Sequence, residues 1–191
     1  LYDSTSSYGV QIITMDTVEN VTLGSSNFTT SMNDYNNAIS TLNSKAEAYN
    51  NSTYSSDARC VGSVPNNKNS QAGMFSSSYG YMSQYNEKFR DADNNYKTDY
   101  NKMNELNIEN IGKEYWLPSR DVKSDPDHSY FSMPSMFTRS LTINRLCSVA
   151  SNGYTFSFSH TYGLRPVFTL KSEIKVTGGD GSGDSPYTLG V

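Results

Sequence analysis

The stretch Leu146-Cys-Ser-Val-Ala-Ser-Asn-Gly-Tyr-Thr-Phe-Ser-Phe158 predicts a β-hairpin in the last third of this chain. Asn152-Gly153 is the strongest turn signal in the chain, because Asn and Gly tolerate the positive φ that tight hairpin turns require. We therefore expect residues 146–150 and 154–158 to pair as antiparallel strands. Short apolar-polar alternations with further turn residues begin at Gly112, so the C-terminal half is predicted to be mainly antiparallel sheet.

A row of rings begins on the second strand of this hairpin, where large residues alternate with Thr and Ser: Tyr154, Phe156, Phe158, His160 and Tyr162. Successive side chains of an extended strand point to opposite sides, so these rings would all emerge from one surface. Such a row is either the buried side of a core strand or a contact surface. Alternation alone favours the core, with Phe156 and Phe158 inside it.

The composition around the ring row favours a contact surface instead. Residues 129–163 contain no Asp, Glu, Lys, Gln or Trp, although a random share of the chain's 19 acidic residues would be about three or four. The charged residues there are Arg139 and Arg145, and Ser, Thr and Asn lie between the rings. Tyr, Arg, Ser and Asn without Lys or Glu is typical of a recognition surface such as an antibody paratope.

Regular patterns also predict the N-terminal half. Residues 10–15 and 18–23 are apolar and β-branched enough for two short strands, which we expect to form a hairpin or strand pair. Apolar residues recur at three- and four-residue spacing over residues 28–49, which predicts an amphipathic helix capped by Ser25 or Ser26. The same spacing over residues 89–106 predicts one or two further helices, and the polar residues 50–81 predict a long surface excursion.

Length and charge fit a single α+β domain over residues 1–191, with a net charge of −4. An isoelectric point near 5.1 without a Lys/Arg cluster argues against nucleic acid or an anionic membrane as the main partner. The chain starts at Leu1 without Met, and we expect a preceding N-terminal segment. Cys60 and Cys147 could form one disulfide that closes a long loop, or remain as two buried thiols.

Signals for catalysis are few, so we expect a binding protein rather than an enzyme, with no catalytic residue, metal ion or cofactor. No HExxH, GxSxG, CxxC, P-loop or dinucleotide fingerprint occurs. His128 could join Asp125 and Asp127 at a metal ion, but carboxylates of an Asp-Pro turn more often accept backbone hydrogen bonds. The Gly-rich residues 178–184 resemble a calcium loop in composition, yet a turn is favoured because the closing Glu is absent.

Two motifs carry a family resemblance: Glu114-Tyr-Trp-Leu-Pro-Ser-Arg120 and, about forty residues later, Gly163-Leu-Arg-Pro-Val-Phe-Thr-Leu170. They resemble the framework of the C-type-lectin-fold variable proteins of diversity-generating retroelements, particularly those of gut bacteria, over about residues 9–191. The resemblance implies a C-type lectin fold with two main helices and antiparallel sheets, and with variable side chains displayed on a sheet surface. It also implies a fixed core that includes Trp116, Leu117, Leu164, Pro166 and Phe168.

In that family a template copy is mutated at adenines during reverse transcription, so Asn codons of the AAC or AAT type are converted into many residue types. Lys, Glu, Gln, Trp and Met cannot arise there, which accounts for the absence of the first four from residues 130–163 and makes Met133 and Met136 framework positions. The resemblance assigns ligand binding to the candidate variable positions, which are Ser132, Pro134, Ser135, Phe137, Arg139, Thr142, Ile143, Asn144, Arg145, Ser148, Ala150, Tyr154, Phe156, Phe158, His160 and Tyr162.

The function implied by the resemblance is a hypervariable, non-enzymatic ligand-binding domain displayed on a bacterial surface. Its partner would be a protein or a glycan on a phage, a host or a neighbouring cell, with no nucleic acid and no direct membrane contact in this part of the chain. Relatives often follow a pilin-like or other membrane-anchoring segment, so we expect a cell-surface or extracellular location. Calcium-dependent sugar binding is not expected, because the Glu-Pro-Asn, Gln-Pro-Asp and Trp-Asn-Asp motifs of sugar-binding C-type lectins are absent.

Two alternatives remain open at this point. The first is a structural pilus or surface subunit that uses its aromatic face for self-assembly. The second is an enzyme of the formylglycine-generating type, which shares the fold but needs a reactive cysteine site. Exposure of Phe156 and Phe158 distinguishes a contact surface from a core strand, because a contact surface needs both rings exposed in the isolated chain.

Overall fold

The computed structural model describes residues 10–63, 112–137 and 140–191, with the backbone alone at residues 140 and 141. The predicted helical stretch at residues 89–106, most of the predicted excursion at residues 50–81, and Arg139 lie outside the described residues.

The described residues form an α+β structure with one helix and mostly strands, as the sequence predicts. The helix is α1 (Phe28–Glu47). The strands are β1 (Gln11–Ile13), β2 (Glu19–Gly24), β3 (Ser55–Cys60), β4 (Tyr115–Trp116), β5 (Asp121–Ser124), β6 (His128–Phe137), β7 (Ser140–Ala150), β8 (Thr155–Ser157), β9 (Ser159–Leu164), β10 (Pro166–Leu170), β11 (Lys175–Gly178) and β12 (Thr188–Gly190).

Helix α1 confirms the amphipathic pattern, and its N-cap lies one or two residues after the predicted caps Ser26 and Ser25. Asn27 is the N-cap, and its side-chain oxygen accepts a hydrogen bond from the Thr30 amide at 3.0 Å. Ser25 instead accepts a hydrogen bond from the Asn27 amide through its hydroxyl, which supports the turn that precedes the helix. The apolar face of α1 is buried against the sheet through Tyr35, Ala38, Ile39, Leu42 and Ala46.

The first two strands exist, but the prediction that they pair with each other is wrong. Strand β1 pairs with β10, in a three-stranded sheet of order β1-β10-β3, whereas β2 pairs with β9 in the larger sheet. The larger sheet follows the path β2-β9-β4-β6-β7-β8, and β5 adds to β6. Both strands pair with strands near the C-terminal end of the chain. A local sequence pattern does not predict such distant pairing.

Part of the predicted surface excursion is a buried strand. Strand β3 pairs with β10, and Ala58, Arg59 and Cys60 are almost completely buried. The Arg59 guanidinium donates hydrogen bonds to Gln11 Oε1 at 2.6 Å and to Asp57 Oδ2 and Thr169 Oγ1 at 2.9 Å each. Because these partners come from three strands, a segment that looks polar in sequence is buried with its charge compensated.

The hairpin predicted from Asn152-Gly153 is confirmed, and Gly153 has a φ of 85°. The second hairpin strand is short, however, because the chain bends at Phe158. Strand β8, before this point, pairs with β7, and strand β9, after it, pairs with β2. Gly24 permits this bend, since a Cβ atom there would stand 2.1 Å from the Phe158 carbonyl oxygen. The ring row therefore lies on two strands rather than one.

The core lies between α1 and the larger sheet and is centred on Trp116. The Trp116 indole donates a hydrogen bond of 2.8 Å to the Val21 carbonyl. Leu117, Leu164 and Pro166 are also buried, as expected for a fixed core, and Phe168 is half-buried. Strands β11 and β12 form a separate hairpin. Among the described residues, no helix is long and apolar enough to cross a membrane.

Candidate binding surface

Three rings of the row are exposed to solvent. The exposed fractions are 70% for Tyr154, 47% for Phe156 and 40% for Phe158. These side chains are therefore not part of the core, and the core interpretation of Phe156 and Phe158 does not hold. His160 and Tyr162 are half-buried because β9 runs from the surface into the body of the larger sheet.

Strand register explains which side chains share the outer surface. Tyr130 on β6 lies opposite Ser148 on β7, which lies opposite Phe156 on β8. The next row of the ladder, Phe131, Cys147 and Ser157, faces the other way, and the Phe131 ring packs edge-on against Tyr35 of α1 at 5.4 Å. We call the outer surface the aromatic face, and its members are His128, Tyr130, Arg145, Tyr154, Phe156 and Phe158.

Three rings of the aromatic face, those of His128, Tyr130 and Phe156, lie close to one another. His128 stacks on Tyr130 with 5.5 Å between ring centres and an interplanar angle of 20°, and it lies 6.2 Å from the Phe156 ring. A hydrogen bond to Asp125 raises the pKa of Tyr130 above its ordinary value, because it favours the neutral phenol. Two or more contacts thus orient the His128 and Tyr130 rings before any partner arrives.

Arg145 is the exposed cation between these rings. Its guanidinium carbon lies 4.1 Å from the centre of the Tyr130 ring and 5.8 Å from that of Phe158. The backbone at this position is fixed too, since His160 Nε2 lies 2.9 Å from the Arg145 carbonyl oxygen. Within the described residues the guanidinium forms no ion pair and donates no hydrogen bond.

The candidate variable positions separate into an exposed and a buried group. Phe137, Thr142, Arg145, Tyr154, Phe156 and Phe158 are exposed, and Ile143, Ala150, His160 and Tyr162 are half-buried. The buried positions are Ser132, Pro134, Ser135, Asn144 and Ser148. Because a buried side chain cannot touch a partner directly, this last group supports the surface rather than forming it.

Part of the buried group forms a chain of hydrogen bonds below the surface. The Tyr162 hydroxyl donates to Asn144 Oδ1 at 2.9 Å, and Asn144 Nδ2 donates to Ser135 Oγ at 2.7 Å. Ser135 in turn donates to Glu114 Oε1 at 2.5 Å. The Tyr162 ring also packs edge-on against Trp116 at 4.7 Å. The candidate variable residues Asn144 on β7 and Tyr162 on β9 are therefore linked to Glu114 and Trp116.

The turn at residues 125–128 uses the Asp125 carboxylate as a backbone cap, as predicted. Asp125 Oδ1 accepts hydrogen bonds from the amides of Asp127 at 2.9 Å and His128 at 2.7 Å. A shallow cleft of about 220 Å³ lies between this turn and the end of the hairpin. In the described ranges, no three His, Cys, Asp or Glu side chains are grouped to hold a metal ion.

The Gly-rich segment that resembles a calcium loop in composition contains a turn. The Gly-rich residues 178–184 lead out of β11 into the loop before β12, and Asp180 Oδ1 accepts a hydrogen bond from the Ser182 amide at 2.9 Å, as in a turn.

Cys60 and Cys147 are both free and buried. Burial raises the pKa of Cys60 to about 12 and that of Cys147 to about 11, so both remain protonated thiols at neutral pH.

Sequence reasoning missed two residues: Tyr130, which belongs to the aromatic face, and Glu114, which supports it from below. Tyr130 lies on the aromatic face because it pairs with Ser148, which lies opposite Phe156, and a β-bulge between Phe131 and Ser132 brings Arg145 onto the same face. Glu114 was visible only as a motif residue. Neither role has a local signal in the sequence, because each depends on a cross-strand partner.

No protein-family model, curated protein or solved structure matches this chain. The geometry of the aromatic face and of its support therefore carries the functional argument.

Proposed function

We propose that this chain is a non-enzymatic, surface-displayed ligand-binding domain that is diversified by a retroelement and has the C-type lectin fold. One observation carries the proposal: Tyr154, Phe156 and Phe158 are exposed beside an arginine that no residue of the described chain neutralises. Exposed rings provide apolar area for a partner at low entropic cost, because an aromatic side chain has few rotatable bonds.

The division of the candidate variable positions supports this proposal. The exposed group lies on β6, β7, the hairpin and the bend, where a change of side chain alters what a partner meets and leaves the core untouched. The deeper group and Tyr162 hold the strands in place through the Glu114 hydrogen bonds. We propose that ligand contact on the aromatic face is made by Arg145, Tyr154, Phe156 and Phe158, with His160 at the edge. The exposed Phe137 and Thr142 lie on the opposite side of β6 and β7 from Arg145 and would contact a partner separately.

Buried residues of the two motifs that carry the resemblance also support the proposal. Trp116 and Leu117 are buried at the centre of the larger sheet, and Leu164 ends the strand that carries His160 and Tyr162. In this proposal the framework holds the sheet rigid while the outer residues change. A variable contact surface requires a rigid support, because changes of its side chains must not destabilise the fold.

The experiment that tests the proposal is sequencing of the source genome around the coding segment for residues 130–168. We expect a near-copy of this segment that has adenines at the codons of the exposed group, close to a gene for a reverse transcriptase. The codons of Met133 and Met136 serve as an internal control and should be identical in both copies. A genome without such a near-copy would contradict diversification and leave only a domain with an exposed aromatic face.

A further inference from the structure

We infer that the partner of the aromatic face is a protein that presents an Asp or Glu carboxylate to Arg145, with apolar residues on either side that cover Phe156 and Phe158. This inference rests on the proposed binding function and names the chemistry of its ligand. The central group is the Arg145 guanidinium, and the exposed Phe rings form the apolar rim around it.

Arg145 is prepared to accept a planar anion. Its guanidinium carbon lies 4.1 Å from the centre of the Tyr130 ring, and this contact restricts the side chain and displaces water on that side. The N–H groups at its edge have no acceptor within the described chain. A carboxylate can bind two of these donors at once, so the cost of ordering the side chain has largely been met before binding.

Charge around Arg145 favours a single carboxylate over a polyanion. Lys123 is the second cation near the Tyr130 ring, with its Nζ 5.9 Å from the ring centre. Asp125 and Asp127 stand at the end of the same strand and would repel a chain of closely spaced phosphates. With a net charge of −4, the whole chain also disfavours a nucleic acid.

The surface around Arg145 favours a protein over an acidic glycan. The groups nearest to the guanidinium are the rings of Tyr130 and Phe158, and Phe156 and Tyr154 extend this apolar area. A glycan presents many hydroxyl groups, which need convergent polar side chains in a pocket. A protein surface with one acidic residue among apolar neighbours matches rings around one cation.

The test selects short random peptides, displayed on phage, against the immobilised full chain. A parallel screen uses an array of sialylated and uronic-acid oligosaccharides. Peptides that bind the aromatic face are recognised because Phe156→Ser abolishes their binding, while Val176→Ser on the β11–β12 hairpin serves as the matched apolar control. We expect these peptides to share an Asp or Glu beside apolar residues.

Affinity measurements with the best peptide then isolate the ion pair. Arg145→Gln in the chain, and Asp→Asn or Glu→Gln in the peptide, should each weaken binding at least about tenfold, and the two changes together should cost little more than either alone. Lys175→Gln removes the same charge from a distant exposed position and should leave the affinity unchanged.

Each of the other possible results contradicts one part of the inference. Face-binding peptides that lack an acidic residue, or that bind Arg145→Gln equally well, overturn the carboxylate and leave the binding function intact. Acidic oligosaccharides that bind through Arg145, with no such peptide selected, overturn the protein partner. If no probe depends on Phe156, the inference and the proposed binding function fail together.

Discussion

The hydroxyl of Tyr162 donates a hydrogen bond of 2.9 Å to the side-chain oxygen of Asn144, so the last ring of the row is anchored in the sheet while the first is free in solvent. Tyr154 and Tyr162 are the same residue type in the same alternating pattern. Their environments differ because β8 lies at the edge of the larger sheet, whereas β9 lies between β2 and β4.

Removing the Tyr162 hydroxyl should destabilise the fold. Tyr162→Phe leaves Asn144 Oδ1 without its donor in a buried position, and we expect the free energy of unfolding to fall by about 1–2 kcal/mol. Tyr154→Phe is the matched control and should change it by less than about 0.5 kcal/mol, because that side chain is 70% exposed. Denaturant unfolding measures both, and equal effects would contradict the buried hydrogen-bond chain.

The two glycines next to the ring row should differ in their tolerance of a methyl group. Gly153→Ala meets no atom within 4 Å, so its cost is the strain of a positive φ, about 1–2 kcal/mol. Gly24→Ala adds a clash at 2.1 Å with the Phe158 carbonyl and should cost at least about 1 kcal/mol more. Thermal unfolding of both variants measures the difference, and an equal loss would show that β2 does not pass this close to Phe158.

Alkaline pH should weaken the fold through the buried Cys60 thiol. Its pKa is about 12 in the folded chain against 9.0 when exposed, so the unfolded chain loses this proton first as the pH rises. Stability from this group is therefore complete below about pH 9 and falls by up to about 1.4 kcal/mol per pH unit toward pH 12. Unfolding free energies at a series of pH values should decline less steeply for Cys60→Ala, and parallel curves would contradict the prediction.

Self-association separates the binding account from the structural-subunit alternative. A contact surface for a foreign partner should leave the isolated chain monomeric at high concentration in sedimentation velocity. A pilus or surface subunit should instead associate as concentration rises, and Phe158→Asp should abolish the association by placing a charge among the exposed rings. Association that depends on Phe158 would support the subunit alternative.

The elements that the sequence predicted well depend on neighbours in the chain. Gly153 supplies the positive φ that the hairpin turn requires, and the apolar spacing of α1 is complete within the helix itself. Strand β3 was missed because its burial depends on Arg59 meeting Gln11 and Thr169 from distant strands. The pairing of β1 and β2 was wrong for the same reason, since their partners lie near residues 159–170.

The candidate site, too, was predicted only where the position of a residue depends on its neighbours in the chain. Exposure of Tyr154 and Phe156 agrees with the composition argument, because Phe156 lies on the edge strand β8 and Tyr154 immediately precedes that strand. The depth of Ser135 and Asn144 was not predictable from residue type, since both are small or polar and look like surface residues. Their hydrogen-bond partners are Tyr162 on β9 and Glu114 just before β4, both distant in the chain from Ser135 and Asn144.

Sequencing of this gene in many individual cells of its source population tests the central claim most directly. The account predicts that substitutions concentrate at the codons of the exposed group, with Arg145, Tyr154, Phe156 and Phe158 prominent. The codons of Trp116, Leu117 and Leu164 should stay constant, since these side chains are completely buried. Exposed positions that are as constant as Trp116 would contradict the claim that the aromatic face is a diversified binding surface.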